Sequence, residues 1–145
     1  MPPLFLAILL ALPLSLSAAG ACAQAETPIV VVAGEGSAIP ALSKEQAEQL
    51  YLGRASTLLG GTPVSLADLP PGATRDRFYA GLTGKNPSQI RAHWSRMVFT
   101  GRALPPREVA DAEQLRSLLA ADPNLIGYLP AAAANDHLKI LLRLP

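Results

Sequence analysis

Residues 63–79 read PVSLADLPPGATRDRFY, a short apolar stretch, a turn with two prolines and a glycine, and then a helical pattern. The stretch predicts a strand over residues 63–67. It also predicts a helix from about Thr74, with Phe78 and Leu82 four residues apart on one face. A strand that leads through a turn into a helix is typical of α/β folds, so the stretch favours an α/β domain.

Apolar runs elsewhere in the sequence predict the other strands. Residues 28–34 (PIVVVAG) are β-branched and end in glycine, which indicates a buried strand. Residues 125–130 (LIGYLP) predict a second, in which Gly127 allows another part of the backbone to approach closely. Residues 131–134 predict a single helical turn, and residues 138–142 predict the last strand.

Three further helices begin at clear caps. Ser43 starts an S-x-x-Q capping box, Asn86 precedes a proline and then a glutamine at the third helical position, and Asp111 precedes a leucine-rich segment. The element order β-α-β-α-α-α-β-(α)-β predicts a mostly parallel or mixed sheet with helices on its faces. The helix after Asn86 is expected to bury four residues: Ile90, Trp94, Met97 and Val98.

The first 25 residues have the shape of an export signal. No charged residue precedes Glu26, an apolar run covers residues 4–16, and small residues in A-x-A patterns follow. The run is shorter than the roughly 20 residues that cross a bilayer. We therefore expect residues 1–25 to be a cleaved signal peptide and residues 26–145 to form one periplasmic domain. A lipid anchor on Cys22, the single cysteine, is the alternative.

Composition and motifs argue against several classes of function. The formal net charge of +1 does not fit a nucleic-acid binder. Motifs of hydrolases, zinc proteases and nucleotide-binding proteins are missing, and His93 and His137 stand apart from any motif. The sequence predicts a protein that is not an enzyme, with no catalytic residues, no metal and no cofactor.

The turn before the second helix carries candidate binding chemistry. Helix N-termini offer unpaired N–H groups and a partial positive charge to anions. Gly72 would let the backbone approach a ligand, the Thr74 hydroxyl would contact an oxyanion, and Arg75 would clamp it with two hydrogen bonds. In the alternative interpretation Thr74 is only the N-cap and Arg75 is solvated.

A second basic group surrounds the helix that contains Trp94. It is either a solvated face or a docking surface for an acidic partner. Its members are Arg91, Arg96, Arg102 and Arg107.

Three motifs carry a family resemblance. They are L-S-K-E-Q…Y-L-G-R in residues 42–54, W-x-R-x-x-F-T-G-R in residues 94–102, and I-G-Y in residues 126–128. Together with the stretch at residues 69–79 they resemble small substrate-binding-like proteins related to the phosphate-binding component of ABC transporters. The resemblance extends over most of residues 29–142.

The resemblance implies the type 2 periplasmic-binding-protein fold, and the roughly 120 residues that follow the expected signal peptide indicate a single lobe or a reduced version of the fold. In full-length members two lobes close over phosphate, and a D-G-S-G-T turn before a helix contributes part of the grip. Gly72, Thr74 and Arg75 stand at that turn and are the implied ligand residues. Ala73 replaces a hydroxyl and Pro71 stands where an acid is usual, so two potential ligand groups are missing.

The implied function is that of an exported solute-binding-like protein that binds phosphate or another small oxyanion weakly. Its implied partner is a membrane permease or an envelope protein, and not a nucleic acid. One lobe leaves an open half-site unless two copies complete a cleft. The alternative is a periplasmic interaction module without ligand binding, which would expose an apolar or arginine-rich surface around residues 94–107.

Overall fold

A five-stranded sheet with four α-helices makes up the part of the chain that the computed structural model describes, residues 27–58 and 61–145. The expected signal peptide and Cys22 lie outside these residues. The elements in chain order are β1 (Ile29–Gly34), α1 (Lys44–Tyr51), β2 (Ser65–Asp68), α2 (Ala73–Thr83), α3 (Pro87–Phe99), β3 (Arg107–Glu108), α4 (Ala112–Ala121), β4 (Leu125–Pro130), a 3₁₀ turn (Ala131–Ala133) and β5 (Leu138–Arg143).

The sheet is mixed, which confirms the predicted fold class. Its order is β3-β2-β4-β1-β5, and β2 runs parallel to β3 and β4, whereas β1 is antiparallel to β4 and β5. Ile29 pairs with Pro130, and Val30 pairs with Arg143. The beginning of β1 and the end of β5 therefore lie at the same edge of the sheet as the carboxyl ends of β2 and β4.

The two central strands are covered on both faces. Every residue of β1 is buried, and so is every residue of β4 up to Leu129, which explains their unbroken apolar sequences. Gly127 is required by packing, because a Cβ there would lie 2.6 Å from the Cδ1 atom of Leu115 on α4. The sequence predicted that backbone would approach this glycine closely, but the group that does so is the Leu115 side chain.

The predicted helix caps are confirmed. Ser43 and Asn86 both form complete capping boxes, and the Asp111 side chain accepts a hydrogen bond from the Gln114 N–H. The third helix departs from expectation at its end, because Val98 is 47% exposed while Ile90 and Trp94 are buried. Met97 is partly buried against the core, so the expected apolar stripe is only incompletely covered in the last turn of α3.

One strand boundary differs from the sequence prediction, and one short strand was not predicted. β2 covers Ser65–Asp68, and Pro63 forms only an isolated bridge with Thr57. The proline-containing link after α3 contains the short strand β3, which the sequence did not predict. Two residues are too few to show the alternation of apolar and polar residues that marks a strand, so this pairing is recognised only from its partner strand β2.

Among the described residues, no helix is both long enough and apolar enough to cross a membrane.

Candidate functional site

The turn between β2 and α2 opens at the carboxyl edge of the sheet. Gly72, not Thr74, is the N-cap of α2, and it supplies no side chain to the helix end. The first three N–H groups of α2, those of Ala73, Thr74 and Arg75, therefore have no acceptor within the helix. The Thr74 hydroxyl makes no hydrogen bond to any described residue. Gly72 is exposed and extended, and a Cβ there would make only an ordinary contact of 3.9 Å with the Pro70 carbonyl oxygen.

A buried carboxylate lies directly behind this turn. Asp68, the last residue of β2, is only 4% exposed. The Tyr79 hydroxyl of α2 donates a 2.8 Å hydrogen bond to Oδ2 of Asp68, and the Tyr128 hydroxyl of β4 donates to Oδ1. The Leu69 N–H in turn donates to the Tyr128 oxygen at 3.2 Å. One carboxylate thus joins β2, α2 and β4.

Arg75 points back toward acidic residues. Its Nε lies 3.6 Å from Oδ2 of Asp68, and its Nη1 lies 3.4 Å from Oε2 of Glu108 on β3. Nη1 also donates to the Leu69 carbonyl at 3.4 Å. The guanidinium is therefore paired within the fold, and only Nη2 has no partner among the described residues. This arrangement lies between the two interpretations that the sequence left open, a ligand clamp and a solvated side chain.

The charge of Asp68 is set by its surroundings. Burial raises its pKa above the ordinary 3.8, and this outweighs the lowering caused by the hydrogen bond from Tyr128 and the positive charge of Arg75. Burial and then the negative charge of Asp68 raise the pKa of both Tyr79 and Tyr128. Both tyrosines therefore remain neutral hydrogen-bond donors over the physiological pH range.

Asp68→Asn is expected to change how stability depends on pH. Because the folded state raises the pKa of Asp68, it holds the proton more tightly than the unfolded chain does. The contribution of Asp68 to folding stability is fully present below its pKa in the unfolded chain and is lost as the pH rises through its pKa in the folded state. The wild type should therefore lose stability relative to the variant as the pH rises from about 4, the ordinary pKa of an aspartate, toward neutrality.

Urea unfolding of both proteins across this range measures the difference. Asp76→Asn is the matched control, because Asp76 lies exposed on the first turn of the same helix. A stability gap between wild type and Asp68→Asn that stays constant with pH would contradict the assignment.

A groove of about 720 Å³ begins at this cluster and runs along α3. Asp68, Arg75 and Glu108 line one end of it. The remainder is mainly apolar, and Phe99 on its rim is 92% exposed. The apolar lining residues are Ile90, Trp94, Val98, Phe99, Pro105 and Pro106.

The two histidines lie in different environments, and the arginines of the second basic group do not all line the same groove. His93 is buried with Nε2 2.7 Å from the Leu52 carbonyl oxygen, so it is a packed residue, whereas His137 is exposed beside Glu35. Arg91 donates to Ser88 and lines the α3 groove. The other three arginines of that group lie elsewhere, around Gly53. Within residues 27–58 and 61–145, no group of three or more His, Cys, Asp or Glu side chains could hold a metal ion.

Sequence reasoning did not find the residues that surround Arg75. Glu108 and Tyr128 are far from Arg75 along the chain, and Asp68, although only seven residues away, was missed because the predicted strand ended one residue before it. The available signal was the acid immediately after an apolar strand, at the edge where the turn opens.

The fold is a five-stranded mixed sheet of order β3-β2-β4-β1-β5, with a helix that begins at the carboxyl end of β2. No family model matches the sequence, and no curated protein matches it. The comparison with solved structures therefore carries the assignment of the fold.

Three solved structures share this fold. They are an ABC-type phosphate transport receptor from Vibrio cholerae (12% identity, TM-score 0.62), a candidate phosphate ABC transporter substrate-binding protein with bound phosphate from Clostridium perfringens (18%, 0.63), and a candidate phosphate-binding protein from Planctomyces limnophilus DSM 3776 (12%, 0.58). Each match covers 81% of this chain but only 46%, 45% and 41% of the respective neighbour. The resemblance seen in the sequence is thus confirmed at the level of the fold, over less than half of each neighbour.

Proposed function

We propose that this protein is an exported, non-enzymatic solute-binding-like protein that binds phosphate or another small oxyanion weakly. Gly72, Thr74 and Arg75 are the proposed ligand residues. The observation that carries the proposal is the open N-terminus of α2, where free N–H groups, the unpaired Thr74 hydroxyl and the Nη2 group of Arg75 belong to one turn. The phosphate-bound structure from Clostridium perfringens supports the choice of ligand. A membrane permease is the proposed partner, and the signal peptide over residues 1–25 is the proposed route of export.

The environment of Arg75 is the reason for proposing weak binding. Asp68 and Glu108 place two carboxylates within 4 Å of one guanidinium, so most of its positive charge is already compensated. Ala73 and Pro71 add no ligand group to the turn. The turn is also open on one side, so it encloses less of a ligand than a closed pocket would.

Removing the exposed carboxylate is expected to strengthen binding. Glu108 is 55% exposed and pairs with Arg75, so Glu108→Gln frees Nη1 for the anion without burying an unpaired charge. The expected gain in phosphate affinity is about three-fold, as for removing one partly screened charge. Arg75→Ala should lower the affinity by about ten-fold, as for loss of a charged hydrogen-bond donor. Isothermal titration with phosphate, sulfate and acetate measures both changes.

Glu113→Gln provides the control, because Glu113 is also exposed near the start of a helix but lies on α4. It should leave phosphate affinity unchanged. The proposal fails if neither the wild type nor Glu108→Gln produces heat or a thermal shift with millimolar phosphate. It also fails if Arg75→Ala binds phosphate as the wild type does.

A further inference from the structure

A group of positive charges that form no ion pair with a described residue lies away from the α2 turn. Four arginines form a basic surface on one side of α3, and all four are exposed. None of their side chains makes a hydrogen bond or an ion pair with a described residue, in contrast to Arg75. The basic surface consists of Arg54, Arg96, Arg102 and Arg107.

Two adjoining grooves give this surface its shape. The first, of about 600 Å³, includes Arg54, Arg102 and Arg107 in its lining, and the second, of about 660 Å³, includes Arg54, Arg96 and Arg102. The two grooves share Gly53. Neither lining contains an aspartate or a glutamate. With no carboxylate to compensate the arginines, the local potential is positive and attracts anionic groups.

A buried donor lies beside the first groove. Trp94 lines this groove and is more than nine-tenths buried, yet its Nε1 has no hydrogen-bond partner among the described residues. An unpaired indole N–H is unusual in a folded protein, because burying a donor without an acceptor costs free energy.

Large apolar side chains border the same surface. Leu104 lines the first groove and is 83% exposed, and Phe99, which is 92% exposed, lies on the rim of the α3 groove, which shares Trp94, Pro105 and Pro106 with the first groove. Arginine and aromatic residues are enriched together at protein–protein interfaces, where they supply most of the binding energy. A small inorganic anion would leave both apolar side chains in water, whereas a protein segment would cover them.

We propose that the basic surface docks an acidic protein segment that carries a large apolar side chain. Its carboxylates form paired hydrogen bonds with the guanidinium groups of Arg54 and Arg102, a geometry that arginine favours. Its apolar side chain packs on Leu104 and Phe99. This surface lies outside the α2 turn, so its role is independent of oxyanion binding at Thr74 and Arg75.

A synthetic peptide tests the proposal directly. The probe is about twelve residues long, rich in glutamate, with one phenylalanine and no tryptophan. Trp94 is the only tryptophan of the chain and lines both the first groove and the α3 groove, so its fluorescence reports binding in either groove, and the arginine variants described next assign the change to this surface. We expect a saturable change in Trp94 emission, which weakens when lysine replaces glutamate or when alanine replaces phenylalanine in the peptide.

Matched variants test whether peptide binding depends on this surface or only on the net charge of the protein. Arg54→Gln/Arg102→Gln should weaken peptide binding by about ten-fold or more, since both ion pairs are lost. Lys44→Gln/Arg143→Gln removes the same charge from exposed positions outside both grooves and should stay within about two-fold of wild type. Arg75→Ala should bind the peptide like the wild type, so a failure of oxyanion binding is distinguishable from a failure here. Circular dichroism confirms that each variant is folded.

Two results would overturn the proposal. One is equal peptide affinity in wild type and Arg54→Gln/Arg102→Gln. The other is a Trp94 response to inorganic phosphate or to phosphatidylglycerol vesicles with none to the peptide, since the occupant would then be a phosphate group or a lipid surface.

Discussion

Phe78→Ala is expected to destabilise the domain by about 3–5 kcal/mol, the cost of removing a buried aromatic side chain. Phe78 is fully buried, and its ring stacks on Tyr128 with centroids 3.6 Å apart and planes within 4°. Its ring also meets Tyr51 edge-on at 4.8 Å. The substitution leaves a cavity where α2 packs on β4. Because a domain of this kind has only about 5–15 kcal/mol of stability, much of the total would be lost.

Urea or thermal unfolding measures this effect, and Phe99→Ala is the matched control. Phe99 is the same residue type on the neighbouring helix but is 92% exposed, so its removal should change stability by less than about 0.5 kcal/mol. Similar losses in the two variants would contradict the burial of Phe78. Phe78→Leu should fall between them, because leucine refills part of the cavity.

Gly34→Ala is expected to cost about 3 kcal/mol, at the upper end of the range for overpacked sites. A Cβ at Gly34 would collide with the backbone carbonyl oxygen of Leu119 and would lie 3.1 Å from its carbon. A backbone carbonyl cannot rotate away as a side chain does. Relief would require α4 to move from β1, on which it packs.

Gly36→Ala controls for the loss of a glycine in the same segment. A Cβ at Gly36 meets no atom within 4 Å, so this variant should unfold within about 0.5 kcal/mol of wild type. Chemical unfolding of both variants measures their free energies of unfolding relative to wild type. Wild-type stability in Gly34→Ala would mean that α4 does not approach β1 as described.

The local features of the fold were predictable from the sequence. The capping box at Asn86 uses only residues within four positions of each other, and the strand at Leu125–Pro130 is an apolar run with clear limits. Such signals need no knowledge of the rest of the chain. Val98 was assigned to the core for the same reason, because helical spacing shows which face it occupies but not whether that face is covered.

The surroundings of Arg75 were not predictable, because they depend on strand order. Tyr128 reaches Asp68 only because β4 lies beside β2, and the two residues are 60 positions apart in the chain. Glu108 is brought to Arg75 by β3, whose two residues pair in parallel with the end of β2. Local chemistry identified the α2 turn but could not identify the carboxylates that compensate its arginine.

The positions of the two ends of the domain bear on how it is studied and used. Val30 and Arg143 are paired neighbours, and the carbonyl of Thr27 accepts a hydrogen bond from Arg77 of α2. Neighbouring strands lie about 5 Å apart, and β1 and β5 are two and three strands away from β2. Either end of the domain therefore leaves the sheet about 10–15 Å from the α2 turn. An affinity tag joined directly to Thr27 or Pro145 would therefore lie near that turn, and titrations require its removal. Conversely, a ligand analogue joined to one end of the domain by a short flexible linker would be present at the turn at millimolar effective concentration, which is enough to reveal weak binding.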